Sequence, residues 1–121
     1  MPIIQIKRVY EPIEPGDGFR VLVDRLWPRG VSKEEAKLDL WAKDIAPSTE
    51  LRGAFHEGED SWGEFERAYR KELGHNATLG GFVDSVKDKS TVTLLFASRE
   101  LEHNHAAVLA SVLRSMLESR R

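Results

Sequence analysis

Hydrophobic residues fall into short runs fenced by turn-forming residues, and the spacing inside each run predicts its element. Residues 3–9 alternate loosely, with Ile4, Ile6 and Arg8 on one side and Ile3, Gln5, Lys7 and Val9 on the other. They stop at the cluster from Glu11-Pro12 to Gly18, so they read as a strand followed by a loop. Phe19-Arg20-Val21-Leu22-Val23 is short, rich in β-branched residues and ends at Asp24, the pattern of a buried central strand. Trp27-Pro28-Arg29-Gly30 breaks regular structure, and Ser32 is placed to cap a short helix over residues 33–37, with Glu34 and Glu35 at its positive end.

Leu38 to Lys43 has period-two character and predicts a strand that ends before Ala46-Pro47. Ser48 caps a helix running to about His56. Ser61, with Glu64 three positions on, marks a second helix to about Leu73 whose inner face is Trp62, Phe65, Ala68, Tyr69 and Leu73. Ala77 to Lys87 predicts a further helix despite Gly80-Gly81. Thr91 to Ala97 is an uncharged, β-prone run. From Asn104 onward, Leu109, Val112, Leu113 and Met116 mark one face of a long C-terminal helix that finishes in Arg120-Arg121, where cations suit its negative end.

Strands separated by helices predict a single α/β domain over residues 1–121. Its central sheet is mostly parallel, with about four strands flanked by helices, and ends in the long C-terminal helix. The first connection, residues 10–18, is too short for a helical crossover. The first two strands are therefore either an antiparallel pair or not neighbours at all.

Composition narrows the chemistry. The 121 residues include 18 Lys+Arg against 20 Asp+Glu, for a net charge of -2, and no cysteine. A chain of this size buries enough surface for one core without staples. The lack of cysteine excludes a disulfide framework, a thiolate nucleophile, a thiolate-ligated zinc and an iron–sulfur cluster, and it fits a reducing compartment. The charge balance argues against bulk coating of nucleic acid. The apolar N-terminal stretch is too short for a signal peptide or a membrane span, so a cytoplasmic protein without membrane attachment is expected. Residues 1–45 hold eight basic and eight acidic residues, and 46–75 hold four and seven, so the acidic excess lies in the middle of the chain. The neutral first part nevertheless gathers two of its four arginines, Arg25 and Arg29, in one loop.

That loop, Asp24 to Lys33, leaves the end of a buried strand and enters a helix, and it carries Arg25, Trp27, Arg29 and Lys33. In open α/β sheets, ligands bind beyond the carboxyl ends of the strands. Arginine forks match phosphate or carboxylate oxygens, and an indole can stack on a ligand ring. The plainer alternative is that Arg25 and Arg29 pair with Asp24, Glu34 or Glu35 while Trp27 covers the core. A second group, Ser98 to His105, lies between the last strand and the long helix. Asn104 would cap that helix, its free N–H groups would suit an anion, and His105 is the candidate general acid or base. His103 reads more plainly as a surface residue. Ser48, beside Lys43 and Pro47, is a weaker candidate nucleophile or ligand contact, since no Gly-x-Ser-x-Gly elbow surrounds it. Neither a phosphate-loop nor a dinucleotide fingerprint is present, the four histidines lack metal-ligand spacing, and no metal or other cofactor is expected. Glu57 to Asp60 reads as a solvated acidic loop.

Arg20 to Gly30, with its Asp-Arg-Leu-Trp-Pro-Arg-Gly core, together with Trp41 to Arg52 and Glu102 to His105, resembles the YeaO-like family, small bacterial proteins grouped as a domain of unknown function. The resemblance spans nearly the whole chain. It implies a compact single α/β domain and brings no catalytic assignment.

Two functions remain in view. In the first, Arg25, Arg29 and Lys33 clamp a phosphate- or carboxylate-bearing small molecule or nucleotide, Trp27 stacks on it, Asn104 and the helix start hold a second anionic group, and His105 moves a proton. In the second, Trp27 and the arginines anchor a nucleic acid or protein partner without catalysis. Net charge disfavours nucleic acid, and a homodimer through the Trp27 loop or the C-terminal helix stays open.

Overall fold

A computed structural model describes residues 1–56 and 61–120. Four strands, β1 (Ile3–Arg8), β2 (Phe19–Leu22), β3 (Leu40–Trp41) and β4 (Thr91–Phe96), form one sheet in the order β1-β4-β2-β3. Every pairing is parallel. The open question about the first connection is thus resolved: β1 and β2 are parallel and separated by β4. The helices are α1 (Lys33–Ala36), α2 (Thr49–His56), α3 (Trp62–Gly74), α4 (Leu79–Val86) and α5 (His105–Ser119).

Strand alternation divides the core in two. On one face Ile4, Val21, Val23, Val92, Leu94 and Phe96 pack against residues of α3, α4 and α5, among them Tyr69, Val83, Leu109 and Leu113. On the other face Val9, Leu22 and Leu95 meet Trp27, Val31, Leu38 and Trp41. Sheets of parallel strands are covered on both sides, which is why β2 and β4 read as near-continuous apolar runs.

Sequence boundaries shift where local geometry intervenes. The strand predicted over residues 38–43 shrinks to Leu40–Trp41 because Lys37 takes a left-handed φ of 44° at the end of α1, and residues 43–45 tighten into a 3-10 turn. The helix expected from Ala77 starts at Leu79, since the Asn76 side chain accepts from both the N–H and the hydroxyl of Thr78 and holds a turn there. Ser32, Ser61 and Asn104 cap α1, α3 and α5 as their spacing predicts. The Arg120 side chain pairs with Asp84 of α4. Arg121 and the acidic run 57–60 lie outside the described residues.

Candidate functional site

After β2 the chain passes through Trp27, Val31 and α1 on the smaller-core face; after β4 it enters α5 on the larger-core face. Neighbouring strands whose connections diverge to opposite faces open a crevice at their carboxyl ends. A cleft of about 400 Å³ lies there. Its lining includes Tyr10 after β1, residues 24–29 after β2, Pro47 and Arg52 around the start of α2, Phe65 on α3, and Ala97, Ser98 and residues 103–105 after β4.

At the strand ends, His105 Nε2 lies 2.7 Å from Asp24 Oδ1. Both atoms are shielded from solvent, and neither has a well-aligned hydrogen bond. Two lone pairs at this distance would repel, so the contact calls for a hydrogen on Nε2 directed toward the carboxylate. Asp24 is fixed from two sides: its Oδ2 accepts from the Ala97 N–H (3.0 Å), and its backbone oxygen accepts from Trp41 Nε1 (2.7 Å). Asn104 is buried; its Oδ1 accepts from the Ala107 N–H (2.9 Å) and its Nδ2 donates to the Glu100 carbonyl (2.8 Å), which sets where α5 begins and where His105 stands.

The three arginines of the cleft differ. Arg25 donates from Nε to the Pro47 carbonyl and from a terminal nitrogen to the Ala46 carbonyl, both at 3.0 Å. It pairs with none of the acidic residues proposed for it. Arg29 and Arg52 are exposed, and neither guanidinium has a hydrogen-bond or ion-pair partner among the described residues.

Residues 3–121 match the family described as the inactive DUF488-N3 subclade. The chain is 47% identical over 113 residues to the uncharacterized protein YeaO of Escherichia coli (strain K12), which covers 93% of this chain and 98% of YeaO. The chain belongs to the YeaO-like family. It is also 43% identical over 110 residues to the uncharacterized protein Rv3073c of Mycobacterium tuberculosis strain H37Rv, covering 91% of this chain and 92% of that protein. No solved structure matches it.

In this YeaO-like chain the remaining candidates sit as follows. Trp27 lines the cleft, but its indole N–H donates to the Val31 carbonyl (2.6 Å) and its ring meets Trp41 edge-on with centroids 5.3 Å apart. Lys33 opens α1 on the surface and is not part of the lining. Ser48 is also outside the lining: its N–H and hydroxyl donate to the two carboxylate oxygens of Glu72 (2.9 and 2.5 Å), and its oxygen accepts from the Leu51 N–H. Tyr69, fully buried, donates to the Ile45 carbonyl at 2.6 Å. Burial, with Glu72 adding to it, pushes that phenol far above its ordinary value and keeps it neutral.

Sequence reasoning missed Arg52, Phe65 and the part played by His103. The His103 ring lies parallel to Trp62, with centroids 4.9 Å apart and planes 6° apart, and Trp62 stacks in turn on Phe65 at 5.5 Å and 21°. One signal was present for Arg52, since it stands one helical turn beyond the Ser48 cap. Nothing in the spacing brings His103 to Trp62.

Proposed function

We propose that the cleft binds a small molecule bearing a phosphate or carboxylate group. The observation that carries this reading is the pair of unpartnered guanidiniums, Arg29 and Arg52, on one concave site that also holds the His105 imidazole. The cleft's volume falls in the range of small-molecule sites. Arg25 adds positive charge while bracing the wall, and Asp24 orients the His105 ring. His105 then serves the site as a hydrogen-bonding group toward the ligand, held in place by its carboxylate partner. The family's description as inactive favours binding without turnover, and so does the engagement of the Ser48 hydroxyl with Glu72. Trp27 contributes as packed wall rather than as an exposed anchor, which weighs against the interaction-module reading. No helix among the described residues is long and apolar enough to cross a membrane. A cytoplasmic setting is part of the proposal and is supported by the absence of cysteine.

A thermal-shift series with inorganic phosphate, sugar phosphates and dicarboxylates tests the reading. At least one of these ligands should raise the melting temperature of the wild type, and the Arg29→Ala, Arg52→Ala double variant should lose that response. A response unchanged in the double variant would refute the arginine site.

A further inference from the structure

The ligand class can be narrowed, on the footing of the anion site just proposed, because the cleft lining combines two unlike features. Arg29 and Arg52 offer free guanidiniums to negatively charged oxygens. His103 offers a ring: it is the exposed end of a stack whose middle ring, Trp62, is outside the lining and whose inner ring, Phe65, is buried. Trp62 covers one face of the His103 ring, and the other carries no ring partner among the described residues. An inorganic anion or an aliphatic carboxylate would use the arginines and leave that ring face in water.

We infer that the ligand is a mononucleotide, its base stacked on His103 and its phosphate held by Arg29 and Arg52. Trp62 acts behind His103 by fixing the plane of the imidazole, so that the stacking surface is preorganised. A base offers a π-face whatever its identity, so this contact tolerates different bases. A polynucleotide fits less well. Proteins that grip one by its backbone neutralise a run of phosphates, whereas this cleft offers two free guanidiniums among the described residues, on a chain of net charge -2.

The test is isothermal titration calorimetry on the full chain, with the four 5′-nucleoside monophosphates, ribose 5-phosphate, inorganic phosphate and a single-stranded oligonucleotide. The best nucleoside monophosphate should bind at least about fivefold tighter than ribose 5-phosphate, the low end of what one base gains on one aromatic ring. His103→Ala should erase that difference while leaving ribose 5-phosphate affinity unchanged, and His103→Phe should preserve it. The Arg29→Ala, Arg52→Ala variant should weaken nucleotide and sugar phosphate together. Equal affinity for nucleotide and ribose 5-phosphate would overturn the nucleotide inference and leave the anion site standing. Binding of no phosphate compound would overturn the nucleotide inference, and the anion site would fall with it if the dicarboxylates of the thermal-shift series also gave no response. Tighter binding per site to the oligonucleotide than to any mononucleotide would replace the inference with a nucleic-acid interface.

Discussion

His105 Nε2 stands 2.7 Å from Asp24 Oδ1, joining the end of β2 to the first turn of α5. The contact couples the two halves of the candidate site, because Asp24 begins the arginine loop and His105 follows the cap of the long helix. Both side chains are about 15% exposed, with relative exposures of 16% for His105 and 15% for Asp24, so water cannot readily take over either role. A double-mutant cycle with Asp24→Asn and His105→Gln should therefore give a coupling energy of about 1 kcal/mol by urea unfolding. Strict additivity would mean that the two residues stand close without supporting each other.

Arginines that look alike in the sequence should separate into two classes on mutation. Arg25 ties down the Ala46 and Pro47 carbonyls ahead of α2, so Arg25→Ala should lower stability by about 2 kcal/mol, as lost bonds from a charged donor to buried acceptors do. Arg29→Ala and Arg52→Ala remove no hydrogen bond or ion pair of the guanidinium among the described residues and should change stability by less than about 0.5 kcal/mol. Urea midpoints measured side by side decide the matter. A large loss for Arg29→Ala or Arg52→Ala would assign that guanidinium to the fold instead of to a ligand.

This difference also marks the limit of what the chain discloses in one dimension. Ser32, Ser61 and Asn104 were legible as caps because a cap and its N–H partner are three residues apart, and the strand-end loops were legible because β2 and β4 are short, largely apolar runs followed by polar residues. Whether Arg25 faces a ligand or the Pro47 carbonyl depends on how the start of α2 packs across the sheet, which no local spacing encodes. Trp27 looked like a free stacking surface for the same reason: Trp41, its ring partner, arrives through the β2–β3 pairing. The stack of Phe65, Trp62 and His103 joins α3 to the loop after β4, and only the packing of α3 beside α5 brings them together.

Acid sensitivity should trace to a buried ion group on the far side of the sheet from α3–α5. Lys7 Nζ lies 3.0 Å from Asp17 Oδ1, and Arg20 donates to Asp17 Oδ2 at 2.5 Å while also reaching the Ala36 and Lys37 carbonyls. Burial alone would raise the Asp17 carboxyl; hydrogen bonds from Lys7, the Glu14 N–H and Arg20 outweigh it and hold the pKa below the ordinary value. As pH falls, the unfolded chain then takes up this proton before the native state does. The contribution is complete above the unfolded pKa near 3.9 and is lost as pH falls through the native value. Asp17→Asn should cost about 3 kcal/mol at pH 7, because it leaves the buried Arg20 guanidinium without its carboxylate and Lys7 with only the exposed Glu14 carboxylate. The gap between wild type and variant should narrow in urea titrations below about pH 4. A gap that persists unchanged at pH 2 would place the effect in packing rather than in charge.

Gly18 should be the least replaceable glycine at the amino-terminal end of the sheet. It sits at φ 61° and ψ -129°, a region that side-chain-bearing residues avoid, and a Cβ there would stand 2.5 Å from the Thr91 carbonyl oxygen and 2.9 Å from the Thr91 Cβ. Thr91 opens β4, so that backbone cannot retreat without disturbing its pairing with both β1 and β2. Gly18→Ala should therefore destabilise by about 3 kcal/mol, combining strain and displacement. Gly30 provides the control: its φ of 75° is also positive, yet nothing lies within 4 Å of the added methyl, so Gly30→Ala should show only the conformational cost of about 1 kcal/mol. Thermal or urea unfolding of the two variants gives the comparison. Equal losses would show that backbone conformation alone sets the requirement at Gly18, and that its approach to Thr91 adds nothing.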